Sequence, residues 1–364
     1  MCDIVLLVYD KPDYTRACVE SILANTEAPY RLIIVDNGSV QDETKKYLAS
    51  IEAAHRPRVY VVRIEKNQGY VNAVNLGLAR TSAEFVCVIS NDTVVFPGWL
   101  GEVIRIAQKD ASIGIVNPLW ELPKGYHGSR ESYFASVVKR NRGLYIESDW
   151  ARGFCFLVKR AVIDKIGGLD TAFAPAYYDD WDYSVRAIRA GFICVCALGA
   201  FVWHHRSVTY KSILGAQKLN EAVGEKAKVF CKRWGRPLKL LCVFGNIEDA
   251  CVLKARQTVI HLLRDQHRVV FVQKKPDVHI QHTNCHNKLF PPSLFVASIF
   301  ILILSNALRG RNRRFSLIIA DEKTASLLAK IGVVRRNYKI TSINASFDNV
   351  QKMFDMVDRI KKFE

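Results

Sequence analysis

Apolar residues in the first 120 positions follow two alternating periods. Short, β-branched runs at Ile4–Val8, Arg31–Val35, Val59–Ile64 and Phe85–Ile89 predict buried strands. Segments with helical spacing at Tyr14–Ala24, Glu43–Ala53 and Val71–Ala79 separate them. Such alternation predicts βαβ units and a parallel sheet. Positions 120–150 lose the pattern and are rich in Gly, Ser, Tyr and Arg, as in a loop that faces substrate.

The pattern restarts around Lys232–Pro237. Leu238–Phe244, Val269–Gln273, Val278–Gln281 and Ser316–Ala320 read as strands; Asp249–Leu263, Thr324–Ile331 and Asp348–Lys361 read as helices. Two α/β domains are therefore expected, 1–235 and a smaller 236–364. Leu294–Leu308 is almost purely apolar and is followed by Arg309, Arg311, Arg313 and Arg314. Its fifteen residues fall short of the roughly 20 that span a bilayer, so a core helix is expected, with an interfacial anchor as the alternative.

Charge narrows the partners. The chain has 52 Lys+Arg against 35 Asp+Glu, a net +17, which points to nucleic acid, an anionic membrane surface or phosphorylated small molecules. Its 10 Cys are scattered through apolar runs without a paired CxxC framework, the usage of reduced thiols in a cytoplasmic protein. Met1-Cys2-Asp3 leads straight into the first strand with no secretory signal.

Chemistry enters with Tyr178-Asp179-Asp180-Trp181-Asp182. Acids in a first helical turn suit the exposed N–H groups there, which explains a helix with an acidic start. It does not explain carboxylates packed this closely, which repel unless a cation or a proton-transfer role compensates. Polar residues also stand just past the carboxyl ends of three predicted strands: Asp36, Asn67 and Asp92. Open α/β sheets bind ligands there. Each has a bland reading as well: a turn at Asp36–Ser39, helix capping at Asn67–Asn75, packing for His204 and His205. The histidines of 278–286 fit no zinc spacing and read as surface or substrate-facing.

In order along the chain stand Ile-Val-Asp-Asn-Gly-Ser (34–39), Asn-Gln-Gly-Tyr (67–70), Ser-Asn-Asp-Thr-Val-Val-Phe-Pro-Gly-Trp-Leu (90–100) and Gly-Phe-Cys-Phe-Leu-Val-Lys-Arg (153–160). Ile-Gly-Gly-Leu-Asp (166–170), the Asp-Asp-Trp-Asp cluster and Val-Trp-His-His (202–205) complete the series. With these motifs residues 3–210 resemble the family-2 glycosyltransferases of GT-A fold, especially their bacterial polysaccharide and rhamnosyl-type branch. The resemblance implies a Rossmann-like mixed sheet and transfer of a sugar from a UDP-, dTDP- or GDP-sugar to a glycan or lipid-linked glycan, with inversion. It implies donor contacts from Val8, Tyr9, Asp36, Asn67, Gly69, Asn72, Ser90, Asn91 and Asp92. Asp92 and His204 would hold Mn2+ or Mg2+. Asp180 would be the general base, with Asp179 and Asp182 beside it and Gly153 and Trp181 on the acceptor side.

Two departures stand out: Ser90 where many members carry the first metal-binding acid, and Asp179 where glutamate is commoner. The second domain is faintly like the amino-terminal half of a GT-B glycosyltransferase, with a role toward acceptor, partner or membrane surface. The rival expectation is a catalytically inactive scaffold of the same fold that binds nucleic acid or an anionic membrane. Acids at the strand ends speak against it, because a polyanion binder would not place them there. Nucleic acid is therefore not expected as a partner, and peripheral association with a membrane stays open.

Overall fold

The computed structural model describes residues 1–205, 208–245, 251–274, 279–308, 314–331, 334, 338–344 and 349–363, with the backbone alone for 208–216 and 363. The four apolar runs at the start form the parallel half of one sheet. β1 (Cys2–Val8), β2 (Tyr30–Asn37), β3 (Val59–Ile64) and β4 (Phe85–Ser90) pair in the order β3-β2-β1-β4. β1 is buried along its whole length, so it shows no polar alternation. Helices α1 (Pro12–Asn25), α2 (Asp42–His55) and α3 (Gly69–Leu78) make the crossovers, each within two residues of the expected bounds.

Beyond β4 the sheet becomes mixed. The elements that follow are β5 (Thr93–Val95), α4 (Trp99–Gln108), β6 (Ile113–Leu119), α5 (Arg130–Tyr133), β7 (Tyr145–Ser148), β8 (Cys155–Lys159), α6 (Arg160–Ile166), α7 (Asp179–Arg189) and β9 (Ile193–His204). β8 runs antiparallel between β4 and β6; β9 lies parallel to β6, and the short β5 and β7 pair antiparallel with β9. This makes nine strands among the described residues, a mixed sheet as expected. The stretch expected to be irregular, 120–150, is partly ordered by a small core of its own. Tyr133 and Phe134 are buried there against Phe96 and Phe201.

Asp3 ties the edge of this sheet. Its buried carboxylate accepts two bonds from Arg31, both 2.9 Å, and the N–H groups of Ser82 and Ala83 at 2.7 and 3.0 Å. Burial alone pushes this carboxyl up, but the Arg31 and backbone hydrogen bonds outweigh it, and the net shift is downward.

By internal contacts the chain divides into 1–230 and 231–364, a cut inside the long helix α8 (Val208–Trp234); the sequence pattern puts its boundary at 235/236. The second unit holds β10 (Lys239–Phe244), α9 (Val252–Arg264), β11 (Arg268–Gln273), β12 (Cys285–Leu289), α10 (Phe295–Ala307), β13 (Leu317–Asp321), α11 (Glu322–Ala329), β14 (Lys339–Ile343) and α12 (Val350–Phe363). Its sheet is parallel throughout, in the order β12-β11-β10-β13-β14. The strand expected at Val278–Gln281 is displaced. Position 278 lies outside the described residues, and the strand is β12 instead. The Asn287 side chain bonds both backbone groups of Ile280, at 3.2 and 2.9 Å, and this takes Ile280 out of the ladder. His282, expected at the surface, is buried, and burial pulls it down to about 4.

The apolar segment forms α10, with Phe295, Ile299 and Ile303 in the core and Leu294, Val296, Ile301 and Leu308 exposed. No described helix is long and apolar enough to cross a membrane. Of the arginines after it, Arg309, Arg311 and Arg313 lie outside the described residues.

Asp3→Ala should destabilise the first unit by about 3 kcal/mol at pH 7, because it leaves Arg31 and two N–H groups unpaired. A lowered folded pKa contributes stability that is complete above the ordinary carboxylate value and is lost as pH falls through the folded one. Urea denaturation of wild type and variant should therefore converge in acid.

Candidate functional site

The carboxyl ends of β1, β2 and β4 open on a cavity of about 1020 Å³ whose wall lies wholly within the first unit. Val8, Tyr9 and Asn37 form one side, continued by Asn67, Gly69 and Tyr70 at the start of α3. Asn37 organises this side: its amide donates to Asn67 Oδ1 at 3.1 Å and to the Gly69 carbonyl at 3.2 Å. Gly69 has φ +80° and sits against Pro175 so closely that a Cβ would meet the proline ring at 2.6 Å. Only glycine fits both demands.

At the end of β4, antiparallel pairing of β5 with β9 sets Thr93 opposite His204. That register brings His204 Nε2 within 3.4 Å of Asp92 Oδ2, and the ring of His204 stacks on Phe154 with centroids 4.5 Å apart. A carboxylate and an imidazole converging on one wall suit a cation that accepts both O and N donors, Mn2+ more than Mg2+. The described residues contain no group of three metal-binding side chains, so water or a bound substrate would complete the coordination. Neighbouring Asn91 is turned elsewhere, donating to Thr15 Oγ1 at 2.9 Å and to the Asp10 carbonyl at 3.3 Å.

The acid pair lines the same cavity. Tyr177 and Tyr178 both have positive φ, 78° and 63°, and this sharp entry starts α7 with Asp179 and Asp180 directed differently. Asp179 is buried, whereas Asp180 is half-exposed to the cavity. Asp180 accepts the Gly153 N–H on Oδ2 at 2.9 Å and the Trp181 N–H on Oδ1 at 2.8 Å. Burial raises both carboxyls, Asp179 far more, with the charge of Asp180 adding to it; the Gly153 and Trp181 N–H groups and the Arg152 charge pull Asp180 back. Both carboxyls are thus raised, Asp179 the more strongly, and Asp180 is the one whose charged form is favoured by backbone N–H groups and a nearby guanidinium.

Segment 149–154 fixes this geometry. The Tyr70 hydroxyl donates to the Gly153 carbonyl, Ala151 N–H donates to Ser184 Oγ at 2.7 Å, and Ser184 Oγ donates to the Asp180 carbonyl at 2.7 Å. Beside it lies an aromatic surface. Trp150 and Trp181 approach at 4.6 Å, and Tyr178 and Phe230 back Trp181 at 5.5 and 4.7 Å.

Three residues named from the motifs stand outside the cavity wall. The Asp36 carboxylate is fully buried, accepting Arg63 Nη1 at 2.8 Å and Ser39 N–H at 3.0 Å, so it braces the turn after β2. Asp182 is held by Arg186 Nε at 2.8 Å inside α7. Asn72 donates to the Gln68 carbonyl at 3.0 Å on the helix surface. Conversely Asn37, Trp120, Trp150 and Arg152 line the cavity and were missed, although Asn37 stands one residue from Asp36 and Arg152 one from Gly153. Neighbours within a motif point to opposite faces of a strand or turn, and spacing alone does not say which one faces inward.

Residues 3–167 match the sequence model for glycosyl transferase family 2. Among curated proteins, an uncharacterized protein of Sinorhizobium fredii is 28% identical over 232 residues, 57% of this chain and 25% of that protein. The O-antigen biosynthesis protein RfbC of Myxococcus xanthus is 24% identical over 57% of this chain and 18% of its own length. N-acetylglucosaminyl-diphospho-decaprenol L-rhamnosyltransferase of Mycobacterium tuberculosis is 24% identical over 56% of this chain and 76% of its own. The chain thus spans a quarter or less of the first two relatives. A solved mannosyltransferase of Pyrobaculum calidifontis, in complex with GDP-Man and Mn2+, overlays 99% of this chain and 84% of its own at 13% identity with a TM-score of 0.49.

Gly69→Ala should cost roughly 2–4 kcal/mol, the sum of a left-handed backbone and a clash with Pro175. Gly98→Ala, at φ +75° with nothing within 4 Å, should cost only the backbone part, about 1 kcal/mol. Paired chemical denaturation curves separate the two contributions.

Proposed function

We propose that the amino-terminal unit, whose residues 3–167 match the glycosyl transferase family 2 model, transfers a sugar from a nucleotide-diphosphate sugar to a hydroxyl of a glycan or lipid-linked glycan, with inversion. One observation carries this reading. A single cavity holds the Asp92–His204 pair and the Asp180 carboxyl, which accepts two backbone N–H groups.

The donor's nucleotide would lie along Val8, Tyr9 and Asn37 at the ends of β1 and β2, where a doubly wound sheet accepts nucleotides. Asp92 and His204 would hold a divalent cation, which supplies positive charge to the leaving diphosphate. The acceptor hydroxyl attacks the anomeric carbon from the side opposite the diphosphate. As the new C–O bond forms and the bond to phosphate breaks, the hydroxyl proton passes to the Asp180 carboxylate. The Gly153 N–H keeps one Asp180 oxygen in place, and burial of Asp179 disfavours a second negative charge beside it. Binding of the acceptor over Trp150 and Trp181 excludes water that would otherwise take the sugar.

In the second unit, the exposed stripe Leu294, Val296, Ile301 and Leu308, followed in sequence by four arginines, supports peripheral docking on an anionic membrane that carries a lipid-linked acceptor. Vesicles with anionic lipid should co-sediment the protein at low salt and release it at high salt; Ile301→Glu should abolish this. Co-sedimentation of the variant equal to wild type would remove the helix from that role.

Asp180→Asn should lower transfer by about 10²–10⁴-fold while leaving the melting temperature and nucleotide binding near wild type. Because the Asp180 carboxyl is raised, wild-type activity should fall with acid at a pH above the ordinary carboxylate value, the direction set by loss of the base. Asp92→Ala should abolish the stabilisation that UDP, dTDP or GDP with Mn2+ gives in a thermal-shift panel, and excess chelator should abolish transfer. Full turnover in chelator would assign the leaving-group charge to basic side chains alone.

A further inference from the structure

We propose that Arg152 binds an anionic group on the acceptor, a carboxylate or a phosphate borne by the sugar that receives transfer. This rests on the glycosyl-transfer reading and adds the chemical class of the acceptor to it.

The guanidinium lies over the Trp150 ring, 3.8 Å from its centroid, with the Trp120 ring at 4.8 Å. Stacking of this kind fixes the plane of the cation and leaves its terminal amino groups at the edge to meet a planar anion. Those donors have no use inside the protein: Arg152 makes no side-chain hydrogen bond or ion pair with any described residue, and its Nε is buried without a partner. A half-buried cation with unused donors in a cavity wall is complementary to an anion, and arginine binds carboxylate and phosphate in two-point fashion.

Its place in the wall says which anion. Arg152 directly precedes Gly153, whose N–H holds Asp180. The Trp150 ring under its guanidinium meets Trp181, next in sequence to Asp180. Both contacts join it to the side of the proposed base, where the acceptor approaches. The same Trp150 meets Trp181 at 4.6 Å, and the two rings offer a flat apolar face for a sugar. One tryptophan thus both stacks the cation and floors the acceptor subsite. A sugar lying on these rings would carry its acidic substituent to Arg152 and present a hydroxyl to Asp180.

The test titrates nucleotide-loaded full-length protein with matched pairs. Methyl β-glucoside against methyl β-glucuronide reads the carboxylate source; glucose against glucose 1-phosphate reads the phosphate source. In the wild type at least one charged member should bind on the order of tenfold tighter than its neutral partner. Arg152→Gln should erase that preference and Arg152→Lys should keep part of it, while both leave the affinity for nucleoside diphosphate with Mn2+ within about twofold. Equal or undetectable binding of all four probes by the wild type overturns the proposal without any variant. A parallel fall in nucleotide affinity in Arg152→Gln also overturns it and moves Arg152 to the donor. A wild type that binds no nucleoside diphosphate at all instead removes the transfer reading itself.

Discussion

The cavity depends on one electrostatic constraint: two adjacent carboxyls share a poorly hydrated helix start, and burial disfavours charge on both. Charging both would place like charges side by side with little water to screen them. The structure resolves this by asymmetry. Asp179 is buried, and Asp180 faces the cavity with one N–H on each oxygen. Both residues lie in the first turn of α7, where successive side chains diverge by about 100°, so one turns inward and the other does not.

Segment 149–154 is the piece that all other parts of the site lean on. It carries the N–H that holds Asp180, accepts the Tyr70 hydroxyl from α3, and through Phe154 provides the face on which His204 stacks. Arg152 and Trp150 come from the same six residues. A short link ahead of β8 thus couples the nucleotide side, the Asp92–His204 pair and the acid pair. Displacing it would disturb all three together, which makes Gly153 a position where a small side chain has wide effects: a Cβ there would lie 3.3 Å from Asp180 Oδ2.

The second unit follows the same architectural rule with different content. Its parallel sheet again buries Leu240, Cys242 and Phe271 between helices, yet its histidines do not converge on a metal among the described residues. Buried charge there is structural. Lys361 reaches Asp265 at 2.8 Å, and Asp265 faces the buried His267 at 3.3 Å, which fastens α12 to the sheet. The chemistry of the chain is concentrated in the first unit.

The fold of the first ninety residues was legible because each apolar run is short, β-branched and bounded by turn residues, so period and length agree. The polar residues at the carboxyl ends of those strands were legible for the same reason. Strand order after β4, the ordered pieces within 120–150 and the shift of the 278–281 strand to β12 were not. They depend on pairings between distant segments and on one side chain, Asn287, competing for a backbone. Within the site, the sequence named Asp92, His204 and Asp180 by their motifs but could not tell that Asp36 turns to Arg63 or Asp182 to Arg186. Which member of a charged cluster meets water is decided by the face it occupies once packed. The sequence by itself determined the residue types and their order along the chain. Tertiary structure alone decided that residues 92 and 204 would meet at 3.4 Å, that Asp180 would accept the Gly153 N–H, and that Arg152 would be left with donors to offer. Those outcomes depend on distances set by pairing across more than a hundred residues, and no local pattern contains them.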